Sequence, residues 1–271
     1  MSGLSKQRAA NTDLLIRDGD AARTTVFLHG IGGRAFSFEG LFAGWPDARL
    51  IAWDAPGYGN STPLASEWPL AADYADRLAE VAGALGLRSF DLVGHSLGGL
   101  VAVAFAAKYP HHVRRLALMC PALGYRAARG APLPEQAAQR IADFTALGAE
   151  GMAQARASRL VHGPDEKPAV VEKVRDAMAS LGLEGYTQAT RMLASGDLLA
   201  DIPLIAAPAL LLTGKEDLIT PEKGSLRALA ALNGRAAGTS ESHSVANSGH
   251  AVYLEAPGEV TRVITTFLRA A

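Results

Sequence analysis

The sequence predicts an α/β protein: a mostly parallel sheet with helices on both faces, carrying an inserted helical cap. Three observations lead there. Short β-branched or aliphatic runs alternate with segments of helical period through the first half of the chain. Residues 122–199 have helical spacing and no strand, and one more strand-like run follows only after them.

Taken in order, "TTVFLHG", "ARLIAWD", "FDLVGHS" and "VRRLALMC" read as buried strands, bounded by Gly, Asp or Ser. The Ala- and Leu-rich stretch "LAADYADRLAEVAGALG" reads as a crossover helix, and strands joined by such crossovers lie parallel. Residues 122–199 break at Pro132, Pro134, Gly163, Pro164 and Pro168, which divides them into several helices. "APALLLTG" then resumes the sheet. The organisation expected is a core of 1–121 and 200–271 and a cap of 122–199 laid over the end of the sheet.

Composition narrows the function. With 271 residues, 49% of them hydrophobic, the chain buries a large core. A formal charge of −1, with no Lys/Arg run interleaved with aromatics, argues against nucleic acid as a partner. Cys120 is the only cysteine, which excludes an internal disulfide and a clustered thiolate zinc site, and at the end of a strand it reads as a small buried residue. The opening "MSGLSKQRAANTDLLIRDGD" has no signal-peptide core, and the longest apolar run, "LGGLVAVAFAA", is too short for a bilayer. A cytoplasmic protein without a membrane partner is expected.

The stretch "HGIGGRAF" supports two readings. From Gly30 it spells G-x-G-x-x-A through Gly32 and Ala35, with Asp54 ending a later strand, the spacing of a dinucleotide-binding oxidoreductase. From His29 it is a strand-to-loop turn that could aim N–H groups at an oxyanion. The rest of the chain favours the second. In "FDLVGHSLGGLVAVAFAAKYP" a strand runs into Gly94-His95-Ser96-Leu97-Gly98 and on into an Ala-rich helix, the setting in which G-x-S-x-G carries a nucleophile. Ser96 would stand on a strained turn at a helix N-terminus, where amide dipoles favour negative charge. A serine needs a base, and the base an orienting acid. "TGKEDLITP" offers Asp217 in a loop after a strand, with Glu216 the competing choice, and "SGHAVYLEAP" offers His250 before a helix. The order Ser96, Asp217, His250 matches one of the three convergent triad orders.

With "FLHGIGG", "WDAPGYGNS", "VGHSLGG", "TGKEDLITP" and "SGHAVYLEAP" in this order, the chain resembles the α/β-hydrolase fold superfamily over residues 24–121 and 201–271. The resemblance implies Ser96 as nucleophile, His250 as base, Asp217 as acid, and Ile31 and Leu97 as the residues whose N–H groups form the oxyanion hole. It implies no cofactor and no metal. It also implies a small-molecule substrate cleaved through an acyl-enzyme, a carboxylic ester or lactone first. Relatives that cleave carbon–carbon bonds of ring-fission products usually carry Asn before the nucleophile and Trp after the histidine, where this chain has His95 and Ala251. Carbon–carbon cleavage and small-amide hydrolysis are the alternatives, with acyl transfer or ligand reception on the same fold beyond them. Serine rather than aspartate at position 96 argues against the dehalogenase and epoxide-hydrolase branches.

The first half of the cap carries Arg126, Arg129, Arg140, Arg156 and Arg159 against Glu135, Asp143 and Glu150. A planar guanidinium suits a substrate carboxylate. One of these, with Arg126, Arg129, Arg159 and Arg191 the candidates singled out, is expected to reach the cleft and bind a carboxylate-bearing substrate.

Overall fold

The computed structural model describes residues 3–45 and 47–270. Its strands are β1 (Leu4–Ala9), β2 (Thr12–Arg17), β3 (Asp20–Leu28), β4 (Ala48–Trp53), β5 (Phe90–His95), β6 (Val113–Met119), β7 (Ala209–Gly214) and β8 (Ser240–Val245), in one sheet ordered β1-β2-β4-β3-β5-β6-β7-β8. From β4 to β8 every neighbouring pair is parallel, whereas β2 pairs antiparallel with both β1 and β4. The five runs read as strands in the sequence are β3 to β7.

Three strands lay outside that reading: β2, with its short buried run Leu14–Ile16, and the two polar edge strands β1 and β8. β1 and β2 form a hairpin through Ala10 and Asn11, at φ 45° and 59°, the left-handed pair that a two-residue turn matching the strand twist requires. β1 and β8 are the two edges; β8, "SESHSV", has only Val245 buried and shows no apolar alternation.

The helices are α1 (Glu39–Gly44), α2 (Ala71–Ala84), α3 (Leu97–Lys108), α4 (Glu135–Arg156), α5 (Pro168–Ala179), α6 (Leu183–Ser195), α7 (Leu198–Asp201), α8 (Glu222–Asn233), α9 (Val252–Glu255) and α10 (Pro257–Arg269). Alternate strand residues feed opposite faces of the sheet. Leu14, Ile16, Val26, Ile51 and Trp53 pack with α2, α3 and α8, while Leu15, Phe27, Leu50 and Ala52 pack with α1 and α10. Helix α3, the longest apolar run, is buried along nearly its whole length in the first of these layers. Among the described residues no helix is long and apolar enough to cross a membrane.

Between β6 and β7 the chain leaves the sheet for α4, α5 and α6, with α4 packed on both of the others. Helix α4 is interrupted at Gly148, whose φ of 67° and ψ of −179° belong to a region that glycine alone adopts freely. Two close backbone crossings fix this excursion, one between its own two ends and one to the loop after β4. A Cβ on Gly124 would lie 2.0 Å from Gly196 O, and one on Gly185 would lie 2.1 Å from Gly57 O.

These crossings generate a contrast between two glycines. Gly185→Ala should lower stability in urea by about 1–3 kcal/mol or more, because backbone rather than a movable side chain fills the space. Gly83→Ala, on an exposed turn of α2 with open space around it, should raise stability by up to about 1 kcal/mol. Equal effects from the two would show that the Gly57–Gly185 crossing is not a constraint.

Candidate active site

The C-terminal ends of β3, β5, β7 and β8 converge on a cavity of about 290 Å³, whose lining includes Gly30, Ile31, His95, Ser96, Leu97 and His250. Ser96 sits between β5 and α3 at φ 51° and ψ −114°, a conformation costly for a residue with a side chain. The turn is held closed by space as well as by bonds. A Cβ on Gly94 would meet Gly98 O at 2.5 Å, and one on Gly98 would meet Leu28 O at 2.3 Å. Only glycines let the turn pass so close to the end of β3.

Two peptide units beside Ser96 are fixed by their carbonyl oxygens. Gly30 O accepts from Gly33 N–H at 2.9 Å and from His29 Nδ1–H at 2.8 Å. Ser96 O accepts from Gly99 N–H at 3.0 Å and Ala122 N–H at 3.1 Å. A trans peptide is planar, so anchoring its C=O fixes the N–H on the opposite side. The N–H groups so fixed are those of Ile31 and Leu97. Leu97 is also the first residue of α3, where helix N–H groups have no intrahelical acceptor. Tyr58 holds the Ile31 loop further, its hydroxyl donating to Ile31 O at 2.9 Å.

Asp217 follows β7 and His250 follows β8. Their side chains meet at 2.8 Å between Asp217 Oδ2 and His250 Nδ1, both buried. That bond leaves Nε2 for the cavity that His250 and Ser96 share. Thr220 completes the acid: its Oγ1 donates to Asp217 Oδ2 at 2.6 Å, while Asp217 Oδ1 accepts from Ile219 and Thr220 N–H at 2.7 and 2.9 Å. Burial pushes the Asp217 carboxyl upward, but the His250 hydrogen bond and charge and the Thr220 donors outweigh it, holding the group well below the usual carboxylate range. Glu216 is placed elsewhere, its Oε2 accepting from Ser248 N–H at 3.0 Å and so bracing the His250 loop. Cys120 lies beside the pair with its Sγ accepting from Gly214 N–H; burial and the Asp217 charge push its thiol well up, leaving it protonated.

Asp54, the residue that the dinucleotide reading needs, is fully engaged. Arg34 donates to it through Nε at 2.7 Å and Nη2 at 2.9 Å, and Ala35 N–H at 2.8 Å, an arrangement that outweighs burial and holds its pKa down. It positions the loop that carries Arg34 and Ala35.

The cap arginines separate into two groups. Arg140, Arg156 and Arg159 line the cavity. Arg126, Arg129 and Arg191 do not, which corrects three of the four singled out from sequence. Arg129 donates to Ser66 Oγ at 2.5 Å and Arg191 to Glu67 O at 2.7 Å, both across the connection between the excursion and the β4–α2 loop, and Arg126 is exposed at φ 60°. Charge count along a sequence does not reveal which way each helix turns its face.

Three contributors were not legible beforehand: Thr220, Tyr58 and the ring of His29. The spacing of Asp217 and Thr220, three residues apart in "DLIT", is the pattern of a carboxylate capping its own turn and was the available signal. His29 bridges two loops, Nδ1–H to Gly30 O and Nε2 accepting from Ala55 N–H at 3.0 Å, so its neutral form is built in. Burial lowers its pKa to about 4. His95 donates from Nε2 to His250 O at 2.9 Å and packs on the His250 ring at 4.8 Å; burial and the His250 charge lower it to about 3.

Two relatives and one fold neighbour stand out. The chain matches a family model described as alpha/beta hydrolase fold over residues 25–257. It is 29% identical over 250 residues to (E)-2-((N-methylformamido)methylene)succinate hydrolase of Acinetobacter baylyi, covering 90% of this chain and 89% of that one. It is 27% identical over 274 residues to 2-hydroxy-6-oxo-2,4-heptadienoate hydrolase of Pseudomonas putida, covering 97% and 95%. The enol-lactonase of Burkholderia xenovorans superposes with a TM-score of 0.85 at 21% identity over 98% of this chain and 100% of that one.

The two neutral histidines make stability depend on pH. Unfolded histidine takes up a proton below about 6.5, whereas His29 and His95 in the fold resist it down to about 4 and about 3. Their contribution is complete above pH 6.5 and is lost as pH falls towards those values. Between pH 6.5 and 5, before most carboxylates titrate, urea unfolding should show stability falling with a limiting slope of roughly 1.4 kcal/mol per pH unit for each histidine. In His29→Gln the slope should drop by about half. An unchanged slope would mean that His29 takes up its proton as readily in the fold as in the unfolded chain.

Proposed function

Because this chain belongs to the α/β-hydrolase fold family and is a hydrolase of that fold, we propose that it cleaves a small carboxylic ester or lactone through an acyl-enzyme on Ser96. The observation that carries this reading is the buried Asp217–His250 bond beside a strained serine, in one cavity with two anchored peptide N–H groups. In this mechanism Ser96 Oγ attacks the carbonyl carbon while His250 Nε2 takes its proton, and the C=O electron pair moves to oxygen. The Ile31 and Leu97 N–H groups receive that oxyanion in a site already organised for it. Collapse expels the alkoxide, which takes the proton from His250. A water molecule, deprotonated by the same imidazole, then releases the acid. Asp217 keeps the imidazole in the correct tautomer and steadies its positive charge. Helices α4 to α6, residues of the 122–199 cap, close the cavity over the acyl group.

A second reading has a specific support. The relative covering 97% of this chain is named for a heptadienoate hydrolase and that covering 90% for a succinate derivative, so cleavage of a carbon–carbon or carbon–nitrogen bond by the same serine is the alternative. Against carbon–carbon cleavage stands His95, whose Nε2–H is already committed to the His250 carbonyl, and the small Ala251 after the base. Both named substrates bear carboxylates.

A fluorophosphonate should label Ser96 stoichiometrically and no other serine, read by peptide mass spectrometry. Ser96→Ala, His250→Ala and Asp217→Asn should each lower kcat for a 4-nitrophenyl ester on the order of a thousandfold or more, with folding intact by circular dichroism. Glu216→Gln should be mild. Labelling at another serine, or a crippling Glu216→Gln beside a mild Asp217→Asn, would reassign the machinery, and faster turnover of a ring-fission diketone than of any ester or lactone would favour the second reading.

A further inference from the structure

The lining of the cavity contains three arginines and no aspartate or glutamate. Arg156 is spoken for: its Nη2 donates to Asp143 Oδ2 at 2.6 Å, and Asp143 is held from its other side by Gln139. Arg140 and Arg159 make no ion pair or hydrogen bond among the described residues, although the Arg140 charge also acts on Asp143. Both line the same largely apolar chamber as Ser96 and His250.

Their convergence is a product of the fold. Arg140 and Arg156 are sixteen residues apart, about 24 Å along an unbroken helix at 1.5 Å per residue, too far to border one small cavity. The break at Gly148 turns the chain back on itself, and the Arg156–Asp143 pair, joining residues on the two sides of that break, clamps it. Arg159 lies in the 3₁₀ turn that follows α4 and joins Arg140 at the same chamber. Neither guanidinium is buried, Arg140 being half-exposed and Arg159 exposed, so both keep solvent contact; their positive charge, with no acid in the lining, makes the chamber favourable to an anion placed beside Ser96.

We propose that the substrate carries a carboxylate in addition to the bond that is cleaved, and that Arg140 and Arg159 bind it while Arg156 holds the bent helix. This deepens the reading of the site as a serine hydrolase and rests on it. A chamber of about 290 Å³ suits a small acid rather than a long acyl chain. A planar, permanently charged fork meets carboxylate oxygens in pairs.

The test uses matched pairs differing only in carboxylate against methyl ester. The mono-4-nitrophenyl esters of succinic, glutaric and adipic acid place the acid in the acyl half, and 4-acetoxybenzoate places it in the alcohol half. Wild-type enzyme should prefer the free acid in at least one pair by tenfold or more in kcat/KM. Arg140→Ala and Arg159→Ala should each reduce that acid-to-ester ratio by about threefold or more, mainly through KM, with the double variant eliminating it. Fluorophosphonate labelling of Ser96 on each preparation identifies variants that remain folded, and Arg140→Lys and Arg159→Lys replace any that do not. Equal turnover of acid and methyl ester by the wild type in every pair, or a preference that survives the double variant, would overturn the carboxylate assignment while leaving the serine mechanism standing. Absence of turnover on all substrates together with absence of labelling would instead bring down the hydrolase reading beneath it.

Discussion

The turn that carries Ser96 depends on two glycines that let backbone occupy space side chains would need. With Gly98 lying against Leu28 O and Gly94 against Gly98 O, β3, β5 and the first turn of α3 are locked into one register. Ser96 is held at φ 51° by that packing, and the cost of the conformation is offset by the near-complete burial of α3 and of the strands on either side. The same closeness sets Gly30 against Ser96, because a Cβ there would come within 3.0 Å of the serine Cβ. The loop after β3 and the turn after β5 therefore cannot shift independently. Two carbonyls, Gly30 O and Ser96 O, each accept two hydrogen bonds, and the N–H groups of the same peptide units acquire fixed directions without any side chain of their own.

The helical excursion is joined to this centre by bonds that end on the loops bearing His250 and Ile31. Glu255, its side chain wholly buried, accepts from Gly249 N–H just before His250 and from His162 N–H and Lys167 Nζ on the excursion. Ala251 N–H donates to Leu160 O. On the opposite side Arg34, already fixed by Asp54, donates to Ser180 Oγ at 2.8 Å after α5. The imidazole loop and the loop bearing Ile31 are thus each bonded to the segment that roofs the cavity. Movement of the roof would strain both, so the depth of the chamber and the geometry of the base are coupled through Glu255 and Arg34.

How much of this the sequence carried follows from the range of each signal. The strands β3 to β7 are continuous apolar runs because parallel strands are covered on both faces, and such runs stand out. Edge strands β1 and β8 are half-solvated and polar, and "SESHSV" cannot be told from a loop by its letters. The turn around Ser96 and the loops holding Asp217 and His250 were legible because local spacing dictates them. Between Glu216 and Asp217 the shorter side chain pointed to the aspartate, and it is Asp217 that β7 and β8 bring beside the imidazole. His29, Tyr58 and Thr220 act through contacts set by tertiary structure. Of the cap arginines singled out, Arg159 lines the cavity and Arg126, Arg129 and Arg191 do not. Glycine at 148 was visible, but that the backbone bends there and brings Arg140, Arg156 and Arg159 to one chamber is a property of packing.

The division of labour between sheet and excursion explains how hydrolases that share this fold bear names for such different bonds. Every group that would handle protons or the oxyanion, namely Ser96, His250, Asp217, Ile31 and Leu97, hangs from the ends of β3, β5, β7 and β8, whose mutual positions the hydrogen-bonded ladder fixes. Arg140 and Arg159 hang from a helix whose path is set by one glycine and one ion pair. Replacing either arginine side chain need not shift the sheet-borne groups, whereas displacing the excursion itself would, since Glu255 and Leu160 tie it to the His250 loop in both directions. The groups around Ser96 are therefore constrained by the sheet, while Arg140 and Arg159 sit on a segment outside it whose side chains can vary at little cost to the core.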